Sequence, residues 1–310
     1  MIRVGLVGVG AMGSGHLANY LRLMKEGHDV KLVAACDIRP EQLERKENSD
    51  LNIEIKREEF EAEYNKYTDF REMMDKEEMD YIDFAVPTYL HAKMAIAAME
   101  RGFHVLSEKP MALTVDECER MIETSMRTGR TLMVAQCLRF WPAYEELKRL
   151  VESGEWGKVI SGMFFRGGAT PKWSFEDWLR KKDKSGGALL DQHVHDVDTI
   201  QWLFGTPAYV STSAVNAVEG SGYDAVSTNY LYADGKVINA MDDWTINGDD
   251  FGFEMIFRVN FEKGCAVLGR EGLTLYPVGG KKVEPDLATD DGYYREILYF
   301  LDCLKNGSAP

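Results

Sequence analysis

The chain has 310 residues, 45% of them hydrophobic, which is enough to build more than one core. Its formal net charge of -15 excludes nucleic acid and anionic membrane surfaces as partners, because both require clustered Lys and Arg. No apolar run approaches the length of a bilayer span, and Met1 leads into Ile2-Arg3-Val4-Gly5 without a signal-peptide pattern, so a cytoplasmic protein with no membrane partner is expected.

The five cysteines, Cys36, Cys118, Cys137, Cys265 and Cys303, are widely spaced and contain no CxxC pair. They read as buried thiols rather than disulfide staples or zinc ligands.

The first half alternates strands and helices. Ile2–Val7 is a short apolar run that leads into Gly8-Val9-Gly10-Ala11-Met12-Gly13, a GxGxxG placed after a predicted strand and before a predicted helix. Gly8, Gly10 and Gly13, with Ala11 and Met12, predict a tight turn whose backbone N–H groups and helix N-terminus meet a pyrophosphate. Val30–Cys36 reads as the second strand, and Asp37 at its end lies 24 residues beyond Gly13, near where an acid accepts hydrogen bonds from an adenosine ribose. Asp37 favours NAD, since a carboxylate repels a 2′-phosphate. Arg39, two residues on, could pair with that phosphate and keeps NADP open.

Residues 40–65 are charge-rich and read as a solvated helix and loop. Alternation resumes with a strand over 81–86, a turn and cap at Pro87-Thr88, a helix over 92–101 ending at Gly102, and a strand over 104–107 followed by Glu108-Lys109-Pro110. A helix over 115–128 and a sixth strand near 131–136 complete the pattern. Repeated units of this kind predict an α/β fold with a doubly wound parallel sheet and ligands at the carboxyl ends of its strands. Gly8, Asp37, Pro87, Glu108, Lys109 and Gln136 fall at such ends and are the candidate cofactor contacts, with Arg39. Lys109 leaves a strand end beside the predicted nicotinamide position, and Pro110 disfavours helical geometry there. His91 reads as a capping or packing residue.

The second half changes character. A helix opens at Arg139-Phe140-Trp141-Pro142 and runs to Leu150, a turn follows at 154–158, and 159–166 alternates as a strand. Strand-like runs near 209–218, 227–232, 237–244, 253–261 and 266–268 are joined in two places by short Gly-containing turns, at 233–236 and 262–264. Hairpins imply a largely antiparallel open sheet, whose uncovered face needs a partner subunit. Trp141, Trp173 and Trp178 are divided between packing and substrate contact, with Arg139 beside them as a candidate substrate residue.

The stretch 186–205, GGALLDQHVHDVDTIQWLFG, predicts one helix of about four turns. Leu190, Val194, Val197 and Phe204 would face the core, while Asp191, His195 and Asp198 recur at i, i+4 and i+7 on another face. That stripe lacks the Lys and Glu of a solvent face and suits an imidazole oriented by carboxylates for proton transfer. A metal reading of His193-Val194-His195 is weak, because i and i+2 on a helix diverge by about 200°. No metal is expected.

The GxGxxG, Glu108-Lys109-Pro110, the RFWPAY run from Arg139 and GGALLDQHVHDVD from Gly186, in this order, resemble the Gfo/Idh/MocA oxidoreductases, the family of glucose-fructose oxidoreductase and inositol dehydrogenase. The likeness covers nearly the whole chain. It implies an N-terminal Rossmann domain, expected over 1–122 with the strand near 131–136, and a C-terminal α/β domain over 137–310 that binds substrate and forms homodimers or homotetramers through its open sheet. It also implies that Lys109, Asp191 and His195 match the catalytic lysine, aspartate and histidine. His193 departs from the pattern, at a position often small or apolar in better-known members. The expected activity is hydride transfer between NAD(P) and a secondary hydroxyl of a sugar, cyclitol or related polyol. A redox-neutral NAD-dependent glycosidase and a ligand-sensing regulator are the alternatives on the same fold.

Overall fold

The computed structural model describes residues 1–44, 63–248 and 250–310, so most of the predicted charge-rich stretch 40–65 lies outside the described residues. The chain divides into two compact units, Met1–Ala135 with Tyr293–Pro310, and Gln136–Gly292.

The first unit contains β1 (Ile2–Val7), α1 (Ala11–Lys25), β2 (Val30–Cys36), α2 (Pro40–Glu44), β3 (Asn65–Tyr67), α3 (Phe70–Lys76), β4 (Tyr81–Phe84), α4 (Thr88–Glu100), β5 (His104–Glu108), α5 (Val115–Thr128) and β6 (Leu132–Ala135). Among the described residues its six strands are all parallel, in the order β3-β2-β1-β4-β5-β6. This is the doubly wound parallel sheet that the alternation predicts. Val4, Leu6, Leu32, Ile82, Phe84 and Val105 are fully buried along it, each side chain contributing roughly 1.5–3 kcal/mol on leaving water. Local signals set the helix ends: Thr114 and Glu117 form a reciprocal capping box at the start of α5, and Gly129 closes it at φ 65°.

The C-terminal helix Gly292–Asn306 groups with this unit, although chain order assigns it to the second domain. Its Ile297, Phe300 and Leu301 are buried, and the Phe300 ring meets Tyr81 edge-on at 5.2 Å.

The second unit contains α6 (Pro142–Ser153), β7 (Val159–Gly168), α7 (Lys182–Ser185), α8 (Ala188–Asp191), α9 (His193–Phe204), β8 (Tyr209–Val215), β9 (Ala225–Leu231), β10 (Val237–Asp243), β11 (Phe253–Phe261), β12 (Gly264–Gly269) and β13 (Gly272–Pro277). The sheet order is β13-β12-β11-β7-β10-β9-β8. Every pairing is antiparallel except β7 with β10, which a crossover through α7, α8, α9, β8 and β9 makes parallel. Phe164, Ile238, Ala240, Phe257 and Val259 fill one face of this sheet.

No helix among the described residues is long and apolar enough to cross a membrane. Cys36, Cys137 and Cys303 are buried, and Cys118 and Cys265 are half-buried.

Candidate active site

In the first unit the glycine-rich turn is held by close backbone contacts. Gly8 has φ +88°, and a Cβ there would lie 2.4 Å from the carbonyl oxygen of Ala85; a Cβ at Gly13 would lie 1.8 Å from that of Gly8. Only glycine fits either position. A Cβ at Gly10 would meet nothing nearer than the Arg39 guanidinium at 4.0 Å, so the space above Gly10 is open. Gly10 is the N-cap of α1 and provides no side-chain cap.

Asp37 is buried at the end of β2. Its Oδ2 accepts from the N–H of Val9 at 2.8 Å and its Oδ1 from the N–H of Arg39 at 2.9 Å, while Arg39 Nε stands 3.9 Å from Oδ1. One carboxylate therefore ties the end of β2 to the glycine turn.

Pro87 is the N-cap of α4, beyond the end of β4. Lys109 follows the last residue of β5, joined to Pro110 by a cis peptide bond, and is half-buried. His91 is buried between the two strand ends, with Nε2 2.8 Å from the Val86 oxygen and Nδ1 2.7 Å from the Pro110 oxygen. It packs, as expected, but it also clasps the turn that carries Lys109. Since β1, β4 and β5 are neighbours, Gly8, Pro87, Glu108 and Lys109 share the carboxyl edge of one sheet, at the place where the strand order reverses.

The residues match what a dinucleotide requires: a turn without side chains, an uncapped helix start and a buried acid beyond the second strand. Gln136 opens the second unit as the N-cap of a short 3-10 turn, Cys137–Phe140.

In the second unit the stretch 186–205 is not one helix. It breaks at Gln192 into α8 and α9, because the Gln192 amide donates to the Arg166 oxygen at 3.0 Å and accepts from Trp244 Nε1 at 2.6 Å. The buried face is also not the apolar stripe. His193, Asp196, Thr199, Ile200 and Leu203 are buried, whereas Leu190, Val194, Val197 and Phe204 are half-buried. Asp191 closes α8 and His195 stands in the first turn of α9, both half-buried. A Cβ at Gly187 would lie 2.6 Å from the Ser221 oxygen, so the chain leaves α7 in close backbone contact.

The polar residues on the buried face find distant partners. His193 Nδ1 is bonded to Asp242 on β10, and its Nε2 lies 3.0 Å from Thr228 Oγ1 and 3.2 Å from Tyr230 Oη. Arg166 on β7 reaches Asp196 at 3.4 Å and Asp242 at 3.9 Å. Burial, with Asp242 adding to it against the pull of Arg166, pushes Asp196 up to about 7. His193 therefore holds α9 to the sheet, with both ring nitrogens engaged.

Arg139 is exposed and donates two hydrogen bonds to Asp198, at 2.8 and 2.7 Å, so the last acid of the predicted stripe on α9 is engaged by an arginine. Trp178 packs with Leu179, Ala188 and Trp244, Trp141 caps α6, and Trp173 is 45% exposed. The segment between Trp173 and Trp178 is strained at Glu176 and Asp177, which adopt φ of 50° and 58°.

Sequence reading missed a buried group in the first unit. His16 on α1, Asp83 on β4 and Glu108 on β5 form a hydrogen-bonded chain, and a ring nitrogen of His16 and a carboxylate oxygen each of Glu108 and Glu296 lie within 4.8 Å of one another. The signal was present in Asp83, an acid inside the four fully buried residues of β4.

Two family descriptions match: "Oxidoreductase family, NAD-binding Rossmann fold" over residues 2–136 and "GFO/IDH/MocA C-terminal domain" over residues 144–267. The chain is 29% identical over 238 residues to a 2,7-anhydro-N-acetylneuraminate hydratase of Mediterraneibacter gnavus, in a match spanning 74% of this chain and 59% of that one. It is 25% identical to an inositol 2-dehydrogenase of Salmonella typhimurium, spanning all of this chain and 88% of that one. A structure of levoglucosan dehydrogenase in complex with NADH and levoglucosan superposes with a TM-score of 0.83 at 22% identity, covering 100% of this chain and 91% of the other. The fold, the glycine turn with its acid and the two family matches together show that this chain belongs to the Gfo/Idh/MocA family of NAD-binding oxidoreductases.

Proposed function

We propose that the protein is a dehydrogenase that oxidises a secondary hydroxyl of a sugar, cyclitol or related polyol, with NAD as the favoured carrier. The observation that carries this reading is the gathering of Gly8, Pro87, Glu108 and Lys109 on one carboxyl edge of the parallel sheet, where its strand order reverses. The substrate class is supported by relatives named for inositol and levoglucosan.

In the proposed reaction His195 takes the hydroxyl proton, and Lys109 favours negative charge on the oxygen as it becomes a carbonyl. Asp191 orients the substrate and the imidazole. The nicotinamide supplies the acceptor for the hydride that leaves the same carbon. One C–H and one O–H bond break, a C=O bond forms, and the products are a ketone, NADH and a proton. Arg139 and Trp173 are the proposed outer substrate contacts, and Gln136 a cofactor contact.

The same reading includes a cytoplasmic homodimer or homotetramer. Its support is β8, exposed at all seven positions, with Tyr209 75% and Val210 60% exposed. The likeness to a hydratase favours a second reading, redox-neutral chemistry with the nicotinamide returned to its starting state.

The test is NADH formation across myo-inositol, scyllo-inositol, levoglucosan and sugar acids, with His195→Asn assayed beside the parent and NAD binding measured separately. Unchanged turnover in His195→Asn rejects the base. Product without net NADH, together with loss of activity in the variant, selects the redox-neutral reading.

A further inference from the structure

The turn that carries Lys109 is held from inside the first unit by a chain of buried polar groups. Glu108 Oε2 accepts from the backbone N–H of Lys109 at 3.0 Å, and Glu108 Oε1 lies 3.2 Å from His16 Nε2. His16 Nδ1 lies 2.7 Å from Asp83 Oδ2, which also accepts from the Tyr20 hydroxyl at 2.7 Å, and Tyr20 in turn accepts from Tyr81 at 2.9 Å. His16 and Asp83 are fully buried, and Glu108 is 5% exposed.

An imidazole with a carboxylate oxygen at each nitrogen satisfies both only by donating from both, so His16 carries a positive charge. With both nitrogens engaged it has no lone pair for a cation, and the proximity of Glu296 does not make this group a metal centre. The groups facing the ring are Asp83 and Tyr20, Glu108 and, from the C-terminal helix, Glu296.

We infer that His16 and Asp83 are positioning residues for Lys109, acting through Glu108. The imidazolium compensates the buried Glu108 carboxylate, which leaves that carboxylate free to fix the Lys109 backbone instead of turning to the lysine ammonium. His91 fixes the other end of the turn through the Pro110 oxygen. Without the imidazolium, Glu108 is an uncompensated buried charge beside Lys109, and either a proton or the ammonium must neutralise it. A proton weakens the hydrogen bond from the Lys109 backbone, and an ammonium drawn to the carboxylate leaves its place; either loosens Lys109.

The inference rests on Lys109 as a reacting group, and its test separates the two. Reductive methylation with carbon-13 formaldehyde gives each lysine an NMR signal, and the Lys109 signal is the one lost in Lys109→Ala. In His16→Gln, with Asp83→Asn as the second variant should the first not fold, that signal shifts from its position in the parent. An identical Lys109 signal in parent and variant overturns the inference. Turnover on myo-inositol and levoglucosan is the second arm. His16→Gln lowers kcat about tenfold while KM and NADH binding stay within about twofold. That loss disappears in the Lys109→Ala background, and an equal loss in both backgrounds shows a structural role only and overturns the inference. Full turnover in Lys109→Ala removes the lysine from the proposed reaction, and the NMR arm then decides the role of His16 alone.

Discussion

The Asp37 carboxylate accepts a hydrogen bond from the backbone N–H of Val9 at 2.8 Å, so the acid that would read the cofactor ribose is built into the glycine turn that would hold its pyrophosphate. Arg39 is held beside the same carboxylate at 3.9 Å. Asp37→Ser removes the carboxylate and its charge and releases the arginine. A hydrogen bond to a charged group contributes about 1.5–3 kcal/mol, so NADH binding should weaken by about tenfold or more while NADPH binding improves. Titration calorimetry with both nucleotides measures the two changes. Equal preference in parent and variant would show that Asp37 does not set the choice.

The second and third glycines of the turn predict different outcomes. A Cβ at Gly13 would stand 1.8 Å from the Gly8 carbonyl oxygen, a backbone atom that cannot move aside alone, whereas a Cβ at Gly10 meets only a flexible arginine at 4.0 Å. Gly13→Ala should lose about 1–3 kcal/mol of stability together with NADH binding. Gly10→Ala should keep its unfolding midpoint and lose NADH binding, because the methyl fills the space open to the cofactor. Urea unfolding alongside fluorescence quenching by NADH checks both. A Gly10→Ala protein that binds normally would place the cofactor elsewhere.

How far the sequence announces these features depends on how local their causes are. The helix over 115–128 is legible to the residue because Thr114, Glu117 and Gly129 sit next to the ends they define. The glycine turn and Asp37 are legible because spacing along one β-α-β unit fixes them. The break at Gln192 is not, since its causes are a backbone oxygen on β7 and a tryptophan at the end of β10. For the same reason periodicity selected Val194 and Val197 as the core face of α9, when Asp242 and Arg166 draw His193 and Asp196 inward instead. The strand β13 was missed although Leu273 and Leu275 alternate inward after the turn that ends at Gly272. The grouping of the C-terminal helix with the first sheet follows from long-range packing that chain order does not encode.

His193 gives a prediction confined to the second unit. Its imidazole is bonded to Asp242, and that carboxylate also stands 3.9 Å from Arg166, with all three side chains buried. His193→Phe removes one partner and leaves a buried Asp242 oxygen without its hydrogen bond, at a cost of about 1–3 kcal/mol or more. NADH binding, which belongs to the first unit, should not change. Urea unfolding of the parent and variant measures the difference. A loss below about 1 kcal/mol would mean that the imidazole does not anchor α9.

The His16 network predicts a pH dependence of stability. Burial opposes the charge on His16, but Asp83 and Glu108 outweigh it and raise the imidazole well above its ordinary 6.5. Burial also opposes ionisation of Glu108, yet the hydrogen bond and charge of His16 bring it below its ordinary 4.5. A raised histidine contributes stability that is fully present below 6.5 and is lost as pH rises through its folded value, whereas a depressed carboxyl contributes above 4.5 and loses it as pH falls. Both contributions are complete only between these two pH values. The stability difference between the parent and His16→Gln, followed by urea unfolding across pH, should therefore be largest from 4.5 to 6.5 and shrink toward alkaline pH. Taking the difference cancels Asp196, whose rise to about 7 makes both proteins lose stability as pH climbs from 3.8 through that value. A parent-to-variant difference that grows above neutral pH would mean that His16 is neutral in the folded protein.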